Sequence, residues 1–145
     1  MKSLNARFQK EFPVDQEFPH PRGFQLARKL QSHLGADEWV IDEIETWRDS
    51  GWSLTSQAKR REIRISFSST EQYEWILQIS PQDSHGLIGS LFGAKQGATD
   101  ENILQIGVLC DKVLKADFDL KEILWCWDAF PEPKNATREP QRPQD

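Results

Sequence analysis

The chain has 145 residues, a formal net charge of −5 and an isoelectric point near 5.2. That length suits one domain, which buries roughly two thirds of its unfolded surface without help from a metal or disulfides. The acidic balance argues against nonspecific binding to nucleic acid or anionic lipid.

The first 22 residues are charged throughout and contain no apolar core, so no signal peptide is expected. No apolar run approaches the ~20 residues of a membrane span. The two cysteines, Cys110 and Cys126, lack CxxC spacing. Together these features predict a cytoplasmic protein with reduced thiols.

Residues 1–21 read as an irregular N-terminal extension. Pro13, Pro19 and Pro21 exclude a continuous helix, while Phe8, Phe12 and Phe18 offer apolar pins onto a domain. The domain itself is expected over 22–130. Its first element is a helix over 22–34, with Gly23, Ala27, Leu30 and Leu34 on one stripe and Gly35 as C-cap.

A meander of about four strands follows over 38–80. The first spans Trp39–Trp47, and Asp49-Ser50-Gly51 turns the chain into the second, which begins at Trp52. Ile63, Ile65 and Phe67 alternate with polar residues, as a strand with one wet face does. Tyr73, Trp75, Leu77 and Ile79 repeat the pattern. Short polar turns between them favour antiparallel pairing.

A long glycine-containing connection over 81–98 leads to a second helix over 99–115. Thr99 is its N-cap, and Asn102 stands where a full capping box wants Glu or Gln. A last strand over 120–127 is apolar on both faces, which predicts a central or doubly covered position. From Pro131 to Asp145 the chain is Pro-rich and charged with no large apolar residue, and reads as a disordered tail. The expected fold is therefore α+β, in the order α-β-β-β-β-α-β. It has a single antiparallel-rich sheet of about five strands with two helices packed on one face.

Two stretches are candidate protein-binding surfaces. Asp42, Glu43, Glu45 and Asp49 surround Trp47, with Trp52 just beyond. Carboxylates around aromatic anchors suit a basic protein partner, the charges steering the encounter and the rings supplying affinity. The competing reading is a solvated strand face. Leu87, Ile88, Leu91 and Phe92 lie among glycines in the long connection, and serve either as a docking segment or as a plug for the core. The glycines do not have phosphate-loop or dinucleotide spacing.

No catalytic constellation is legible. Trp125-Cys126-Trp127 puts two rings on one strand face and the thiol on the other, with no cation nearby to activate it. His20, His33 and His85 are not spaced for a metal. Lys59-Arg60-Arg61 with Arg64 reads as a solubilising turn. No cofactor is expected.

The functional expectation is a non-enzymatic protein-binding module of a small bacterial type, as immunity proteins, inhibitors and adaptors are. A dedicated chaperone-like dimer is one alternative. A small-ligand or sensor domain is another, if a cavity lined by Trp52, Trp75 or Trp125 exists. The sequence leaves oligomeric state open.

Overall fold

Alternation at Ile63-Ile65-Phe67 and Trp75-Leu77-Ile79 directs each of these side chains to one face of a sheet, and all six are buried. The computed structural model describes residues 2–36, 39–58, 61–71, 73–82 and 96–143, excepting the side chains of 40–42, 57, 58, 61, 96 and 97. Its elements, in chain order, are β1 (Leu4–Gln9), α1 (Phe24–Ala36), β2 (Val40–Trp47), β3 (Gly51–Ala58), β4 (Arg61–Glu71), β5 (Glu74–Pro81), β6 (Gln96–Gly97), α2 (Asp100–Asp117) and β7 (Leu124–Trp127).

Six strands form one antiparallel sheet in the order β2-β3-β4-β5-β1-β7. The two-residue β6 runs parallel to the start of β4, pairing Arg61 with Gln96. It continues the row beyond Pro81, the last residue of β5 to pair with β4. The fold is α+β, with one more strand than the sequence predicts.

The extra strand is β1, which corrects the reading of residues 1–21 as irregular. Leu4, Ala6 and Phe8 alternate with Asn5 and Arg7, and the strand lies between β5 and β7. The prolines that exclude a helix all lie beyond it and leave a strand unaffected. Rows of paired residues now cross the sheet from β3 to β7: Trp52, Phe67, Leu77, Ala6 and Trp125 stand side by side on one face.

Both helices cover that face. α1 buries Phe24, Leu26, Ala27, Leu30 and Leu34 over β2 and β3, while α2 lies over β5 and β1. α2 approaches β1 closely at Gly107, where a Cβ would come within 2.5 Å of Leu4 Cδ2. Gly23 precedes α1 rather than joining its stripe. Its φ of +95° is open to glycine, and its carbonyl accepts from Leu26 N–H at 3.0 Å. α1 runs on through Gly35 to Ala36. At α2 the capping box is complete: Asn102 N–H donates to Thr99 Oγ1 at 3.2 Å, and Thr99 N–H donates to Asn102 Oδ1 at 3.1 Å. Asparagine is long enough to close the box that the sequence reading leaves open.

The C-terminal segment also departs from expectation. β7 is the last strand of the sheet rather than a central one, and its outer edge is closed by the chain itself. Trp125 N–H donates to Thr137 O at 2.7 Å, and Thr137 N–H returns to Trp125 O at 2.9 Å. Trp127 Nε1–H donates to Gln141 O at 2.7 Å. A segment without large apolar residues is held because it satisfies backbone groups that an edge strand leaves open. Among the described residues, no helix is long and apolar enough to cross a membrane.

Candidate functional site

The helix-free face of the sheet carries the first candidate. Register places Glu45 opposite Ser53 and Trp47 opposite Gly51, with Ser66 and Ser68 next in those rows on β4. The floor beside Trp47 is thus made of glycine and serines. At Gly51 a Cβ would lie 1.9 Å from Phe67 O, so β3 and β4 approach too closely there for any side chain. The half-buried Trp47 ring carries two cations: the guanidinium carbon of Arg64 is 5.1 Å from its centroid and that of Arg48 is 5.6 Å. Arg64 Nε is buried without a hydrogen-bond partner among the described residues.

Glu43, Glu45 and Asp49 are exposed on β2 and the turn after it. The side chain of Asp42 lies outside the described residues. Trp52 is not a surface anchor. It is 3% exposed on the core face, with its Nε1–H donating to Pro21 O at 3.2 Å and Arg22 O at 3.1 Å. Its ring packs against Phe24 with centroids 4.8 Å apart. Strand alternation accounts for this: Trp47 and Trp52 flank one turn but point to opposite faces. Leu87, Ile88, Leu91 and Phe92 lie outside the described residues.

β2 is the end of the sheet and pairs only with β3 among the described residues. Its ladder is interrupted by an irregularity between Ile41 and Ile44. The opposite edge, β7, is closed by Thr137.

A second candidate shares only Trp75 with the aromatic cavity that the sequence suggests. A cleft of about 410 Å³ opens between residues 10–22 and the two turns that follow β2 and β4. Its floor is the edge-to-face pair of Phe12 and Trp75, with centroids 5.1 Å apart at 89°. Lys10, His20, Arg22 and Tyr73 also line it, with Lys10 and Tyr73 adjacent through their backbones. Tyr73 lies in the turn before β5, with a φ of 66°, and not in the strand alternation that the sequence predicts. These residues come from separate segments, so no spacing could have announced them.

The remaining candidates are tied down by neighbours. Burial, and secondarily Asp111, pushes the Cys110 thiol far up; burial, then Asp128, raises Cys126. Both thiols are free, and both are held towards the protonated form. His33 Nε2 meets Asp117 Oδ2 at 3.2 Å between the ends of the two helices. Among the described residues, no cluster of His, Cys, Asp and Glu is arranged to hold a metal. Asp15 has its carboxyl lowered chiefly by the Phe18 amide; burial opposes this, and the Glu17 amide and Arg28 add to it. It organises the N-terminal loop against α1.

No protein-family model, curated protein or solved structure matches this chain.

Proposed function

We propose that the chain is a non-enzymatic protein-binding module whose partner presents a basic, extended segment to β2. The observation that carries this is the contrast between the two sheet edges. β7 is closed by the chain's own Thr137, whereas β2 offers eight residues with no outer partner among the described residues. An open edge pairs with an incoming strand through main-chain bonds. Exposed Glu43 and Glu45 would steer a segment carrying Lys or Arg and discourage an acidic one. The ladder with β3 is regular over Ile44–Trp47, which makes the half of β2 next to Trp47 the straighter edge for an incoming strand.

Pairing of β2 with a second copy of itself would oppose Glu43 and Glu45 to like charges, which disfavours a dimer through this edge. The free, protonated thiols suit a cytoplasmic location.

A photoreactive residue at position 43 tests this reading, with one at exposed Gln105 on α2 as control. A basic protein trapped from position 43, absent from position 105 and lost on Glu45→Lys, supports it. The same products from both positions, or insensitivity to Glu45→Lys, would overturn it.

A further inference from the structure

We infer that the cleft between Lys10, Arg22 and Tyr73 binds a small organic oxyanion, a phosphate ester or carboxylate carried on a flat ring. This is independent of the β2 edge. The cleft volume of about 410 Å³ falls in the range of small-molecule sites.

The charge arrangement points to an anion. In a chain of net −5, Arg7, Arg28 and Lys115 are each paired with a carboxylate. Lys10 and Arg22 form no such pair among the described residues. Among the described residues, Lys10 Nζ donates to Phe118 O and Arg22 Nη1 to Phe12 O, each at 3.3 Å. Two cations from separate segments thus line one hollow, each with donors left beyond its bond to a carbonyl. Ser69, Thr70 and Tyr73 add hydroxyls to the lining, and exposed Glu71 is the one carboxylate among the described lining residues. That carboxylate disfavours a ligand of high charge. Phe12 and Trp75 are almost wholly buried beneath the cleft, and the exposed ring at its mouth that a flat ligand would meet is that of Tyr73.

Tyr73 supplies a separate observation. Its backbone is left-handed, a region that bulky residues rarely enter, yet its side chain is 44% exposed and gains little from burial. Lys10 N–H donates to Tyr73 O at 2.8 Å and pins this conformation beside the cleft. A strained, exposed aromatic at the mouth of a hollow is accounted for by contact with a ligand.

The test is an amide NMR titration of the full chain with phenyl phosphate and with benzoate, using benzyl alcohol as the uncharged control. Saturable shifts at Lys10, Arg22, Ser69, Tyr73 and the Trp75 indole are expected, with a Kd on the order of 0.1–1 mM. Binding by phenyl phosphate alone identifies a phosphate ester, and by benzoate alone a carboxylate. Lys10→Gln and Arg22→Gln should each weaken binding roughly tenfold. Tyr73→Asn should weaken it while Tm stays equal or rises, since asparagine tolerates this φ. The proposal is overturned if neither anion saturates, if benzyl alcohol produces the same shifts, or if affinity survives loss of both cations.

Discussion

Trp125 donates its indole Nε1–H to Asp111 Oδ1 at 2.9 Å, which ties β7 to α2 through a residue only 8% exposed. Lys115, one helical turn on, reaches the other oxygen, Asp111 Oδ2, at 2.8 Å. An acid on the buried stripe of a helix is thereby satisfied from both sides. Asp111→Ala leaves a buried indole N–H without an acceptor and should cost about 2 kcal/mol. Urea unfolding measures this as a lower midpoint with an unchanged slope.

Two glycines should respond in opposite directions. Gly51→Ala forces a Cβ against Phe67 O and must part β3 from β4, at a cost of about 3 kcal/mol. Gly35→Ala meets nothing within 4 Å in the last turn of α1, and should stabilise by roughly 0.5–1 kcal/mol. Thermal melts of the two variants beside the parent settle both.

The docked C-terminal segment should matter for stability. Thr137→Pro removes the N–H that donates to Trp125 O and should cost roughly 1–2 kcal/mol. A chain ending at Phe130 should lose more, because Trp127 also loses its Gln141 acceptor. Unchanged melting of the shortened chain would show that the segment adds nothing.

Asp15 gives a pH dependence of defined sign. Its folded pKa lies below the ordinary 3.8, so its carboxylate favours the folded state at neutral pH. That contribution is complete above about pH 4 and disappears as pH falls through the lowered folded value. Asp15→Asn should therefore be less stable than the parent at neutral pH, and the gap should close in acid. Chemical denaturation across the acid range measures the convergence.

How far the sequence speaks is clear from particular residues. β4 and β5 are legible because one face is wet and the other buried, so Ile63-Ile65-Phe67 alternates cleanly. β1 has the same alternation in Leu4-Ala6-Phe8, but its partners β5 and β7 lie far along the chain and no turn signal flanks it. Thr137 carries no hydrophobic signal because its anchorage is main-chain hydrogen bonding. Of the candidate surface, Glu43, Glu45 and Asp49 are exposed and Trp47 half-buried, on β2 or the turn after it. Trp52 is buried on the opposite face, since the turn between it and Trp47 inverts the face. The cleft at Lys10, Arg22 and Tyr73 escaped notice because only the tertiary fold assembles it.

The most direct test of β2 as a binding edge is an amide NMR titration with a short peptide alternating Lys with Val, at low salt. Shifts gathered on Ile44–Trp47, weakened in about 0.5 M salt and lost in the Glu43→Lys/Glu45→Lys variant, are the predicted result. Shifts that leave β2 untouched, or that persist in the charge-reversed variant, would contradict it.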